Sequence, residues 1–171
     1  MTASTIAVLD VDGTLIDSNY QHALAWYRAL RQVGETYPVW RLHRLIGMGG
    51  DQVLTAVGGE NLERHMDVFL DKLDARGIAD DWTSSADVET SKPAPDLLQV
   101  ALKKLGAPPD AASVMVGDSV WDVEAAKRAG MPAIVVRSGG FGDDELQQAG
   151  AIAIYDTPGD LAKALDDTPL A

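Results

Sequence analysis

"SVMVGDSVWDVEAAKRAGMPAIVVR" (residues 113–137) holds the pattern on which the fold turns. An apolar, β-rich run (113–118) is followed by a helical segment, "DVEAAKRAG", that stops at Gly130, and then by a second apolar run, "AIVVR" (133–137). Upstream, "PDLLQVALKKLG" (95–106) has Pro95 near a helix entry and Gly106 as its stop. Downstream lies one more short strand, "AIAIY" (151–155), and at the other end of the chain "TIAVLD" (5–10) has the same character. Strand–helix alternation over residues 91–165 indicates an α/β fold, a Rossmann-like parallel sheet with helices on both faces.

Residues 19–77 differ. "NYQHALAWYRALRQVG" (19–34) and "NLERHMDVFLDKLDARG" (61–77) are amphipathic, with Leu62, Met66, Phe69, Leu70 and Leu73 on one helical stripe, and no strand of comparable strength intervenes. The expected organisation is a core domain of residues 1–17 and 78–171 carrying a small helical insertion, 18–77.

The ends of the strands hold the chemistry. Ligands of open parallel sheets bind beyond the carboxyl ends of the strands, and Asp10 and Asp118 both occupy that end, so they can converge on one crevice. Asp12 lies on the same side of the extended chain as Asp10. Two close carboxylates are costly unless something positive lies between them. Gly13 allows a sharp turn that brings backbone amides near an anion, and Thr14 can cap that turn or donate to a phosphate oxygen. A solvated turn is the other reading of this short stretch. Asp122 falls one helical turn beyond Asp118, either as part of the same acidic site or as a first-turn charge on a helix capped by Asp118. Lys92, in "SKPAPD" (91–96), is aimed by two prolines or is a solvated surface charge.

The net charge of −12 argues against nucleic acid and anionic membrane as partners. Cysteine is absent, which excludes disulfides and thiolate metal sites and suits a reducing compartment. The opening "MTASTIAVLD" does not read as a signal peptide, and no apolar run approaches the ~18–20 residues of a membrane span. A cytoplasmic location is expected. Oligomeric state is not legible.

"DVDGTL" (10–15), "SKPAPD" (91–96) and "GDSVWDVEAAKRAGM" (117–131), in that order, resemble the haloacid dehalogenase (HAD) superfamily of phosphohydrolases and phosphotransferases. "GTLIDSNYQHALAW" (13–26) resembles its helical-cap branch, which includes phosphoglycolate phosphatase and β-phosphoglucomutase-like members. The resemblance implies that Asp10 is a nucleophile forming an aspartyl-phosphate and that Asp12 is the general acid and base. It implies Mg²⁺ held by Asp10, the backbone carbonyl of Asp12 and Asp118, with Asp122 supporting that shell directly or through water. Lys92 would balance charge and hold a phosphoryl oxygen.

His22 and the stretch "HRLIGMGGD" (43–51) resemble hinge and specificity-loop positions of the cap. His22 and Arg44 are therefore candidate substrate contacts; packing of His22 on Trp26, and a solvated helix face at His43 and Arg44, are the alternatives. Gly47, Gly49 and Gly50 suit a loop that closes over substrate or a plain turn. The family's strand ending in Ser or Thr, before the lysine, has no clear counterpart. By family comparison the middle of the chain is shortened, and "DWTSSA" (81–86) would have to supply the hydroxyl through Thr83, Ser84 or Ser85. The implied activity is a Mg²⁺-dependent phosphatase acting on a small-molecule phosphomonoester. A sugar-phosphate mutase of the β-phosphoglucomutase type, or a weakened relative that only binds metal or phosphate, are the rivals.

Overall fold

The computed structural model describes residues 5–32, 34–57 and 87–171. Four strands form one parallel sheet in the order β1 (Ile6–Leu9), β2 (Ser113–Gly117), β3 (Ala133–Val136), β4 (Ala153–Tyr155). Because successive side chains point to opposite faces, the sheet feeds two cores. Met115, Ala133 and Val135 pack with Leu98, Val123 and Leu146, which lie on α4 (Asp96–Lys104), α5 (Val120–Arg128) and α6 (Asp143–Ala149). Val114, Val116 and Ile134 pack with Leu161 of α7 (Pro158–Lys163) on the other face. Helices therefore cover both faces, as the alternation in the sequence requires. Gly106 and Gly130 end α4 and α5 with φ of 67° and 72°, the left-handed stops expected of them.

β1 departs from expectation. Its apolar run reads as a buried strand, yet its residues alternate between half-buried and exposed, and Leu9 is 47% exposed. Among the described residues β1 pairs only with β2, so a strand whose residue types suit burial is the outermost of the described strands.

Between β1 and α4 lie α1 (Asn19–Gln32), α2 (Val39–His43) and α3 (Gly50–Val57). They share a separate core of Ala23, Leu30, Leu42, Ile46, Val53 and Val57. In α1, Ala23 and Leu30 lie seven residues apart, two helical turns, which places both on the covered side. The stripe from Leu62 to Leu73, the 77/78 boundary and the stretch "DWTSSA" with Thr83, Ser84 and Ser85 lie outside the described residues. Among the described residues no helix is long and apolar enough to cross a membrane.

Candidate active site

β1 and β2 are in register through Leu9 and Val116, and the Asp10 amide donates to the Val116 carbonyl at 2.9 Å. That pairing places Asp10 and Asp118 side by side at the carboxyl edge. Carboxylate oxygens of Asp10, Asp118 and Asp122 lie within 4.8 Å of one another.

The positive charge among them is Lys92. Its Nζ donates to Asp10 Oδ1 at 2.6 Å and to Asp122 Oδ1 at 2.8 Å, with the lysine side chain 13% exposed. Burial disfavours the ammonium, but the charges of Asp10 and Asp122 outweigh it and push the Lys92 pKa up. Burial raises Asp10 to about 6 against the pull of Lys92, and raises Asp118 to about 8, with the Asp122 charge adding to it. These acids are crowded and incompletely compensated by one lysine.

Asp122 is fully buried, and its second oxygen is engaged by the α5 N-terminus. Oδ2 accepts from the amides of Asp118 and Ser119 and from Ser119 Oγ, while Ser119 Oγ accepts from the Asp122 amide. Ser119, not Asp118, is thus the N-cap of α5, in a capping box closed by Asp122. The hydroxyl is short enough to reach back to the third amide. Asp118 is left to face the site, where its Oδ2 accepts from Asn19 Nδ2 at 2.6 Å.

Gly13 is where the turn after β1 demands glycine. Its φ is +80°, and a Cβ there would lie 1.8 Å from Asp118 Oδ2 and 2.2 Å from Asn19 Nδ2. The Gly13 carbonyl accepts from Ser138 Oγ in the loop after β3. Thr14 is 5% exposed and its hydroxyl has no partner, so it does not cap the turn.

Asp12 stands beside this cluster with partners of its own. Its Oδ1 accepts from Ser18 Oγ and from His22 Nε2, the latter at 2.9 Å. Burial pushes Asp12 up, but the hydrogen bonds from His22 and Ser18 win and hold it below the usual aspartate value. His22 is thereby tied to the site through Asp12.

Arg44 is not brought to the acids. Its guanidinium pairs with Glu145 of α6 and lies 4.1 Å from the Phe141 ring centroid, while its carbonyl accepts from Trp121 Nε1 at 3.0 Å. His43 is half-buried and stacks on Tyr20, with the ring centroids 4.5 Å apart. The loop with Gly47 and Gly49 is docked on the core: Gly49 donates its amide to the Lys92 carbonyl at 3.3 Å.

Three carboxylates at this spacing offer hard oxygen ligands, and Asp10 Oδ2 is buried with no hydrogen-bond partner. The donor set suits a divalent cation that prefers oxygen. Because both Asp122 oxygens are engaged, Asp10 and Asp118 are the freer ligands.

A hydrolase from Pseudomonas syringae has a similar solved structure, with a TM-score of 0.83 and 31% identity over 96% of this chain and 99% of that one. A model of the HAD-hydrolase-like family matches residues 89–167. This chain belongs to the HAD-like hydrolases. Among other members of this fold, a predicted phosphatase from Clostridium acetobutylicum superposes with a TM-score of 0.75 at 18% identity, covering 98% of this chain and 100% of that one. A phosphoglycolate phosphatase of Rhodospirillum rubrum is 39% identical over 87 residues, 49% of this chain. The match spans 35% of that enzyme's length. In this HAD-like chain, Ser18, Asn19, Ser119 and Ser138 join the site without having been singled out in the sequence. Ser119 follows Asp118 within "GDSVWD" at capping-box spacing from Asp122, and Ser18 and Asn19 lie close after "DVDGTL"; Ser138 carries no such signal.

Proposed function

We propose that this chain is a Mg²⁺-dependent phosphatase for a small phosphorylated metabolite, acting through an aspartyl-phosphate on Asp10. The observation that carries the reading is the meeting of Asp10, Asp118, Asp122 and Lys92 at the ends of β1 and β2, with one Asp10 oxygen buried and unpartnered. An Asp10 oxygen forms a bond to phosphorus as the ester P–O bond breaks, and Asp12, in its protonated form, gives its proton to the departing alkoxide and becomes the carboxylate that its hydrogen bonds from Ser18 and His22 favour. Water then bonds to phosphorus, Asp12 takes its proton, and the Asp10–phosphorus bond breaks to release phosphate. Lys92 neutralises a phosphoryl oxygen and keeps Asp10 ionised. Thr14, whose hydroxyl is free, donates to the same group. Asp10, Asp118 and the backbone of Asp12 would hold Mg²⁺, with Asp122 supporting them through Lys92 and the α5 N-terminus. When bound, the ion supplies charge neutralisation for the transferring group.

Helices α1–α3 serve as the cap over this site in a cytoplasmic enzyme. The test is phosphate release from a generic phosphomonoester such as p-nitrophenyl phosphate, dependent on Mg²⁺ and abolished in Asp10→Asn. Full activity in Asp10→Asn, or none in intact protein, overturns the proposal. Mg²⁺ binding without turnover selects the weakened relative, and isomerised sugar phosphate in place of free phosphate selects a mutase.

A further inference from the structure

Asn19 opens α1, the first helix of the insertion, yet its side chain belongs to the acidic cluster. It is 3% exposed, and its Nδ2 donates to Asp118 Oδ2 at 2.6 Å across 99 residues of sequence. Its Oδ1 is buried with no partner. An apolar residue of the same size would fill this place without stranding an oxygen, so the carboxamide is a poor choice for packing alone. The Asp118 side chain is enclosed from other sides by glycines: a Cβ on Gly13 would meet its Oδ2 at 1.8 Å, and one on Gly139 at 3.0 Å. Asn19 is the neutral donor that turns the Asp118 carboxylate within this enclosure, and the neighbouring acids cannot do so because they repel it.

We propose that Asn19 is a positioning residue for the cation site: its amide fixes Asp118 as a ligand and ties cation occupancy to the seating of α1. This rests on the reading of the acidic cluster as a cation site. A carboxylate steered by an outer hydrogen bond binds metal more tightly than one left to rotate, and removal of such a partner commonly weakens affinity 10–100-fold. Because the donor comes from the insertion while the ligand comes from the sheet, a bound cation should steady the start of α1.

The experiment uses the full chain, with Mn²⁺ binding followed by calorimetry, thermal melting in EDTA, and hydrogen exchange of α1 with and without Mg²⁺. Asn19→Leu keeps volume and removes the donor; Asn19→Ala removes both. Each is expected to weaken Mn²⁺ binding by about 10–100-fold. In the native sequence Mg²⁺ is expected to slow exchange in the first turn of α1, a measurement that needs no variant. Asp118→Asn is expected to abolish binding. Binding retained within about twofold in a folded Asn19→Leu, or no Mg²⁺ effect on α1 in the native protein, overturns the role of Asn19 while the cation site stands. Unchanged Mn²⁺ binding in Asp118→Asn overturns the cation site itself and Asn19's role with it.

Discussion

The crowding of acids should make cation binding at the proposed site steeply dependent on pH, in a direction opposite to the stability of the metal-free chain. Burial raises Asp10 to about 6 and Asp118 to about 8 from an ordinary 3.8. A cation must displace those protons before it can use the oxygens. At pH 6 about 1% of Asp118 and about half of Asp10 are ionised; at pH 8 the fractions are about half and nearly all. The product of these fractions gives an apparent affinity about 100-fold tighter at pH 8 than at pH 6.

Stability of the metal-free chain runs the other way. The folded protein holds protons that the unfolded chain has released, so the contribution of these two acids is fully present below pH ~4 and is lost as pH rises through about 6 and then about 8. Calorimetric titration with Mg²⁺ at pH 6, 7 and 8 checks the first half, and denaturation in EDTA at the same values checks the second. Mg²⁺ affinity that is flat across this range, in protein that binds Mg²⁺, would show that Asp10 and Asp118 are ordinary carboxylates and refute the reasoning.

Three further outcomes follow from individual contacts. Lys92→Met leaves Asp10 and Asp122 without their shared cation and should cost about 3–5 kcal/mol in urea denaturation at pH 8, with a smaller loss where Asp10 can protonate. Gly13→Ala sets a methyl group into the space of Asp118 Oδ2 and Asn19 Nδ2 at a positive φ; a loss of about 2 kcal/mol or more and weakened Mg²⁺ binding are expected, and unchanged binding would contradict the packing. His22→Ala removes a hydrogen bond that holds Asp12 low, so the pKa of Asp12 rises and any limb of the pH–rate profile governed by it moves to higher pH, while an unmoved profile would detach His22 from Asp12 in the working enzyme.

Much of the framework is readable one short segment at a time. The runs ending at Asp10 and Asp118 and the helices stopped by Gly106 and Gly130 express alternation, periodicity and backbone preference, which act over about ten residues and survive any tertiary arrangement. Parallel strands then bring their carboxyl ends to one edge, so the meeting of Asp10 with Asp118 is implied as soon as the strands are recognised. Strand exposure is another matter. β1 has a buried strand's composition, but whether a strand is central or at an edge depends on its neighbours in space and not on its own residues.

The same limit governs the site's side chains. Lys92 sits between Asp10 and Asp122, and its alternative as a surface charge is eliminated only by distances of 2.6 and 2.8 Å. Arg44 has the residue type of an anion contact, yet Glu145, 101 residues away, has taken it. Ser119 outcompetes Asp118 for the α5 cap, and Asn19 claims Asp118 across 99 residues. By itself the sequence determined the sheet, its order of elements and the acids at its edge, because those follow from local pattern. Only the packing of α1, the Lys92 turn and the loop after β3 around the strand ends decided which oxygen faces which distant donor, because a hydrogen bond is settled within a few tenths of an ångström between segments the chain does not join.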